Sequence, residues 1–115
     1  MNDIQGKILN RNVMRDLIGD DEVLTKKFHI EFLKQAKISL NKIALCFNSN
    51  DFTAIKEEAH FLKTSAKAIG AEKTAYLLEN LEIMALAKEK EKCKQHIIDI
   101  NATLKQVYGE IVNGC

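Results

Sequence analysis

Apolar residues recur at intervals of three and four along most of this chain, which is the spacing of side chains on one face of an α-helix. The pattern predicts a short helix followed by four long ones, over residues 10–18, 21–47, 52–69, 72–87 and 91–112. The second and third helices carry apolar stripes at Phe28, Phe32, Ala36, Leu40, Ile43 and Phe47, and at Phe52, Ile55, Ala59, Leu62, Ala66 and Ile69. The fourth and fifth carry stripes at Leu77, Leu78, Leu81, Met84 and Ala85, and at Cys93, Ile97, Ile100, Leu104, Val107 and Ile111. Each long helix therefore has one side suited to a shared core.

The residues between these segments favour helix ends. Gly19 can adopt the left-handed conformation that closes a helix, and Asp20 and Asp21 suit the start of the next one. The NSND tetrad at 48–51 and Gly70 end the second and third helices, and the KEKEK run at 88–92 is predicted to be a solvated turn. Proline is absent and only five glycines occur, so few positions break a helix. We therefore expect an all-α fold, an up-and-down four-helix bundle with a short extra N-terminal helix.

The composition is that of an ordinary globular chain. Its 115 residues are 46% hydrophobic and 29% charged, and the formal net charge is +1. This length and apolar content suit one core, so residues 1–115 are interpreted as a single domain. A net charge close to zero and few aromatic side chains argue against nucleic-acid binding.

Several features of the sequence indicate its compartment. No apolar run approaches the ~20 residues that a membrane helix needs, and the first residues lack the basic-then-apolar order of a secretory signal. The three cysteines, Cys46, Cys93 and Cys115, are odd in number and have no C-x-x-C spacing, which indicates free thiols in a reducing environment. We therefore expect a cytoplasmic protein with no membrane contact.

His60 is the residue that most clearly suggests chemistry. It lies in the helix predicted over 52–69, about 140° from the centre of the apolar stripe, so it should face outward. Lys56, Lys63 and Lys67 share its sector of the helix. Nearby cations disfavour protonation of an imidazole, and the neutral ring has a nucleophilic lone pair. The same lysines would stabilise an attached phosphoryl group and would repel a divalent metal, so the pattern favours phosphate chemistry and no metal site.

Periodicity alone leaves a second interpretation of His60 open. A lysine-rich outer face keeps a helical bundle soluble, and in that case His60 is an incidental surface residue. A longer pattern in the residues around His60 would favour phosphate chemistry over an incidental surface position.

Residues 59–71, AHFLKTSAKAIGA, together with the later pair Leu81-Glu82, resemble the signature of the histidine-containing phosphotransfer (HPt) domain family. That signature reads approximately A-H-x-L-K-G-x-x-x-x-x-G-A and is followed by leucines and an L-E pair. The resemblance implies a four-helix bundle in which Nε2 of His60 accepts a phosphoryl group from an aspartyl phosphate on a response-regulator receiver domain and passes it to another receiver. It also implies that Lys63 offsets the charge of the phosphoryl group. The expected partners are receivers of a hybrid sensor kinase and of a downstream regulator, and we expect a monomer.

Other residues near His60 are assigned to the same neighbourhood. Lys56 and Lys67 are added from helix geometry, with simple solvation as the alternative. Glu82 lies at the edge of the apolar stripe of its helix, where it could accept a hydrogen bond from Nδ1 of His60 and leave Nε2 free. The alternative for Glu82 is an ordinary surface glutamate.

Thr64 departs from the family pattern, which usually has glycine at this position. Glycine has no side chain, so at this position it lets a partner come close to the helix. Threonine places a branched side chain where the partner would approach. Thr64 could therefore alter docking. Its hydroxyl could instead bond to the phosphoryl oxygens, or the residue could serve only the helix.

The chain contains neither a G-x-x-x-x-G-K-[ST] nor a G-x-G-x-x-G nucleotide motif. We therefore expect no cofactor and no autonomous kinase activity, with magnesium and the aspartate chemistry supplied by the receiver. A hypothesis from another class is a non-phosphorylated helical adaptor that docks on two-component signalling proteins.

Overall fold

The computed structural model describes residues 6–113 and contains five α-helices. They are α1 (Arg11–Ile18), α2 (Glu22–Asn48), α3 (Phe52–Ile69), α4 (Glu72–Leu86) and α5 (Lys90–Asn113). In this bundle α3 packs between α2 and α4, α5 packs against α4 and α2, and α1 contacts α2 and α3. No strand occurs within residues 6–113. The predicted all-α bundle is confirmed, and every predicted helix limit agrees to within one residue.

Side-chain caps explain where two of the long helices begin. Oδ1 of Asp21 accepts the backbone N–H of Leu24 at 3.0 Å, and Oδ1 of Asp51 accepts that of Ala54 at 3.1 Å. Each carboxylate satisfies an amide that has no partner inside its helix. At the other end of α3, Gly70 has a φ of 89°, in the left-handed region that glycine adopts without strain. These caps define the length of α3 and hence which of its residues face α4.

The buried side of α2 differs from the predicted stripe near its N-terminal end. Phe28, predicted to be in the core, is 44% exposed, whereas the neighbouring His29 is only 2% exposed. The buried set of α2 is His29, Phe32, Ala36, Ser39 and Ile43. His29 lies closer than Phe28 to the centre of this set, so the helix rotation that buries the rest of the stripe leaves Phe28 at its edge. All the other residues of the four predicted stripes are buried or pack against the core.

His29 lies in the interior of the bundle. Nε2 of its ring is buried and has no hydrogen-bond partner among residues 6–113. Burial lowers the pKa of His29, and the positive charge of Arg11 lowers it further. A protonated ring at this position would be an uncompensated buried charge, so the native bundle favours the uncharged form.

An extended segment that precedes α1, residues 6–10, crosses the corner between α3 and α4, and we call it the N-terminal strap. Its backbone pairs with that corner twice, through Asn10 N–H to the oxygen of Gly70 at 2.8 Å and through Lys73 N–H to the oxygen of Lys7 at 2.9 Å. The carboxylate of Glu72 accepts the Asn10 side-chain amide at 2.8 Å and the Lys7 backbone N–H at 3.0 Å. These hydrogen bonds, that from Asn10 first, lower the pKa of Glu72. The strap thereby holds the beginning of α1 against the corner.

The charged run at 88–92 was predicted to be a solvated turn. Only part of it is a turn in the structure. Lys90 is already in α5, and its Nζ donates to the backbone oxygen of Phe47 and to Oδ1 of Asn50. The same ammonium lies 3.8 Å from the centroid of the Phe47 ring, which is a cation–π contact. The turn is restricted to the residues before Lys90, and Lys90 connects the start of α5 to the corner between α2 and α3.

Neither a disulfide nor a helix long and apolar enough to cross a membrane is found in residues 6–113. Cys46 and Cys93 are free thiols, and burial raises the pKa of both. The third predicted thiol, Cys115, and residues 1–5 of the N-terminal segment lie outside the described residues.

Candidate functional site

The imidazole of His60 lies on the outer face of α3. Ala59 and Leu62 are fully buried, so the rotation of the helix turns residue 60 away from the core. The side chain of His60 is 64% exposed. The predicted outward orientation is confirmed, and a large partner can approach the ring without entering a pocket.

Glu82 of α4 holds one edge of this ring. Its Oε1 lies 3.3 Å from Nδ1 of His60, and its side chain is only 14% exposed. A carboxylate only accepts hydrogen bonds, so the contact selects the tautomer in which Nδ1 carries the proton and donates it. Nε2 then holds a lone pair, and no group within residues 6–113 forms a hydrogen bond with it. Of the two alternatives for Glu82, the structure has the contact with His60.

Lys63 lies in the groove between α3 and α4, beside the same carboxylate. Its Nζ is 2.9 Å from Oε2 of Glu82, and its side chain is 15% exposed. One carboxylate therefore contacts the imidazole through one oxygen and the ammonium through the other. This arrangement places a cation next to the ring without a direct contact between Lys63 and His60.

Thr64 is exposed, one helical turn beyond His60. Its Oγ1 donates a hydrogen bond to the backbone oxygen of His60 at 3.2 Å. The hydroxyl is therefore engaged with its own helix and not directed at the ring. The branched side chain remains on the outer face of α3, where the family pattern usually has no side chain.

Lys56 and Lys67 extend the positive charge along the same side of α3. Lys56 is half-buried and Lys67 is exposed. Neither of these two side chains forms a hydrogen bond or an ion pair with another described residue. Of the six predicted site residues, Glu82 contacts both His60 and Lys63, and Thr64 contacts the backbone of His60. Lys56 and Lys67 are neighbours of His60 by helix position only.

Residues 6–113 contain no group of three or more His, Cys, Asp or Glu side chains that could hold a metal ion. A cleft of about 380 Å³ lies elsewhere, between α1, the beginning of α2 and the end of α5, and is lined in part by Arg11, His29 and Ile111. At His60 the structure provides an exposed imidazole beside the Glu82–Lys63 ion pair.

The ion pair between Lys63 and Glu82 was not predicted from the sequence. A signal for it was available, because α3 and α4 run antiparallel on either side of Ala71, and His60 and Glu82 are each eleven residues from that position. Residues equidistant from such a corner face each other. Lys63 is one turn closer to the corner on the same side of α3, within side-chain distance of residue 82.

Comparison with known proteins agrees with this geometry. The family model described as the Hpt domain matches residues 27–113, which is most of the chain and includes all three contacting residues. No curated protein and no solved structure matches the chain. On the extent of the family match and the bundle described above, the chain belongs to the Hpt domain family.

Proposed function

We propose that this chain is a single-domain phosphorelay intermediate in which Nε2 of His60 accepts a phosphoryl group from the aspartyl phosphate of one receiver and passes it to another. Membership of the Hpt family implies histidine phosphotransfer in phosphorelays and interaction with receiver domains of two-component systems. The observation that supports the choice of residue is the state of the His60 ring, which is exposed, held at Nδ1 by Glu82 and free at Nε2.

The arrangement suits phosphoryl transfer in either direction. The lone pair of Nε2 forms the bond to phosphorus while the bond between phosphorus and the aspartate oxygen breaks, and the bonding electrons remain on the aspartate. Transfer to the next receiver reverses this step with another aspartate. Lys63 provides a positive charge where the phosphoryl oxygens arrive, and Glu82 keeps the ring in the reactive tautomer.

The proposed partners are the receiver domains of a hybrid sensor kinase and of a downstream regulator. They would supply the aspartate and magnesium, and this domain would act as a cytoplasmic monomer. Phe61, adjacent to His60, is 50% exposed and offers apolar area for docking. Lys56 and Lys67 offer positive charge that complements an acidic phosphorylated receiver.

Transfer of a labelled phosphoryl group tests this proposal. The purified protein is mixed with a receiver carrying labelled aspartyl phosphate, and the label on the wild type should be acid-labile and alkali-stable, as expected for phosphohistidine. His60→Gln should take up no label, because the amide that replaces the ring has no nucleophilic nitrogen. His96→Gln is the matched control, since that histidine lies on α5 and its side chain forms a hydrogen bond, within residues 6–113, only with the backbone oxygen of Lys92.

The same mixture separates the two classes of function. Labelling of the wild type and of His96→Gln, but not of His60→Gln, supports the relay. Receiver binding that survives His60→Gln, with no label on any form, would refute the relay and favour the adaptor.

Thr64→Gly is expected to raise the rate of transfer from a receiver by about fivefold, which corresponds to ~1 kcal/mol of relieved contact in the docked complex. The reason is that the branched side chain stands on the docking face one turn from the nucleophile. Thr64→Ser retains a hydroxyl that can bond to the His60 oxygen and removes only the methyl group, so it should give an intermediate rate. Single-turnover rates equal to that of the wild type in both variants would show that Thr64 does not obstruct docking.

A further inference from the structure

The cleft of about 380 Å³ between α1, the beginning of α2 and the end of α5 is separate from His60, which does not line it. Its charged lining residues are three cations and two carboxylates, namely Arg11, Arg15, Lys26, Asp20 and Glu22. A cleft of this volume falls in the range of small-molecule sites and is much larger than a single water molecule needs. It therefore has room for a ligand and an excess of positive charge.

His29 also lines this cleft and gives the strongest indication that the cleft takes a ligand. Only 2% of its surface is exposed, and Nε2 has no hydrogen-bond partner among residues 6–113. A buried polar atom without a partner costs free energy, so native proteins usually satisfy such an atom with another protein group, a water molecule or a ligand. A molecule in the cleft would supply the partner that the described residues do not.

The cations of the cleft have unused hydrogen-bond donors. The guanidinium of Arg11 donates to the backbone oxygen of Glu110 at 2.6 Å, and its other N–H groups have no partner among residues 6–113. Nζ of Lys26 forms neither a hydrogen bond nor an ion pair with another described residue. Burial lowers the pKa of His29 and the positive charge of Arg11 lowers it further, so the Arg11 charge acts at the ring. Unused donors from α1 and α2 thus line one cleft.

The two carboxylates of the cleft do not cancel this positive charge. Oδ1 of Asp20 lies 3.3 Å from Nε of Arg15, so these two charges compensate each other. Glu22 is exposed and is the first residue of α2, where the amides of the helix start stabilise a negative charge. Arg11 and Lys26 remain against this one exposed carboxylate, and an anion in the cleft would therefore be attracted.

We propose that this cleft binds a phosphate group, either as the free anion or on a small molecule, with Arg11, Lys26 and Nε2 of His29 as its hydrogen-bond donors. A phosphate group carries about two negative charges near neutral pH, and its oxygens point in several directions, so it can accept from α1 and α2 together. The neutral tautomer of His29 with its proton on Nε2 can donate without a change of charge. The site goes beyond the proposed function, because it does not include His60 and no covalent bond is formed.

Titration of the full-length protein with inorganic phosphate at constant pH, followed by NMR of the imidazole rings, tests the proposal. The chain has three histidines, so the signals of His29, His60 and His96 report on three different helices. Potassium chloride at equal ionic strength controls for screening. We expect phosphate to shift the His29 signals with a Kd on the order of 1 mM and to leave those of His96 unchanged.

Lys26→Gln is the first variant to test, because Lys26 is exposed and bonds to no described residue, so the fold should not change. It should weaken phosphate binding about tenfold, as expected for the loss of one charge-assisted contact. Arg11→Gln should weaken binding by about tenfold or more for the same reason, with circular dichroism as the check on its fold. Lys94→Gln removes an exposed, unpaired ammonium outside the cleft, so it is the matched control and should bind phosphate as the wild type does.

Glycerol phosphate in a second titration distinguishes the two sources of the phosphate group. Tighter binding than that of inorganic phosphate identifies a small phosphate ester as the ligand, and binding that is no tighter identifies the free anion. His29 signals that do not move at phosphate concentrations about tenfold above the expected Kd would overturn the inference. Equal shifts with chloride, or wild-type affinity in Lys26→Gln, would overturn it as well. None of these results depends on phosphoryl transfer to His60.

Discussion

Lys63→Ala is expected to accept a phosphoryl group from a receiver about 10 to 100 times more slowly than the wild type, with its fold unchanged. Transfer brings the phosphoryl charge close to Glu82, and the ammonium at 2.9 Å from Oε2 is the cation placed to offset both anions. Without it, the transition state develops beside an uncompensated carboxylate. The rate is measured by single-turnover transfer from a labelled receiver, and circular dichroism through a thermal melt checks the fold.

Lys67→Ala is the matched control for this prediction. It removes the same charge from the same side of α3, one turn beyond Lys63, but Lys67 makes no ion pair with a described residue. Its effect should be at most about twofold, as for a screened surface charge. Equal rates for Lys63→Ala and the wild type would show that the ion pair has no part in transfer.

Gly70→Ala should lower the free energy of unfolding by about 3 kcal/mol, the largest effect on stability that we expect from a single added methyl group. Two costs combine at this position. The backbone has a φ of 89°, which residues with a Cβ rarely adopt, and the new Cβ would lie 2.2 Å from the backbone oxygen of Asn10. Relief of that overlap requires the N-terminal strap to move away from the corner between α3 and α4, with loss of its hydrogen bonds. Urea denaturation followed by circular dichroism measures the change.

Gly109→Ala provides the comparison within the same chain. Gly109 lies inside α5, and apart from the backbone of its own helix a Cβ there would meet no atom of the described residues within 4 Å. The substitution should stabilise the protein by about 0.5–1 kcal/mol, because alanine favours a helix over glycine. A cost below about 1 kcal/mol for Gly70→Ala would contradict the close packing of the strap on this corner.

Most of the bundle could be predicted from the sequence because its determinants are local. Asp21, Asp51 and Gly70 define helix ends through bonds or backbone angles within a few residues, and the apolar stripes define the side that each helix buries. The outward orientation of His60 followed from the same rotation of 100° per residue. Its contact with Glu82 could be anticipated because a short corner between antiparallel helices determines which positions face each other.

The features that were missed depend on distant contacts or on side-chain conformation. The strap has no periodic pattern, and Lys7 and Asn10 bond to a residue more than sixty positions away. His29 is buried in place of Phe28 because of a small rotation of α2, and the spacing of apolar residues does not resolve such a rotation. Lys90 was predicted to lie in a solvated turn, but its long side chain reaches the end of α2 and bonds to the backbone oxygen of Phe47.

The exposed position of His60 on the outer face of α3 requires that the two partners of the proposed relay take turns. One ring with one free nitrogen cannot serve a donor and an acceptor together, so each cycle includes departure from the first complex before the second forms. Long-lived complexes would then slow signalling, however fast the chemistry. A residence time of about a second or less follows for an efficient shuttle, which favours modest affinity over tight association.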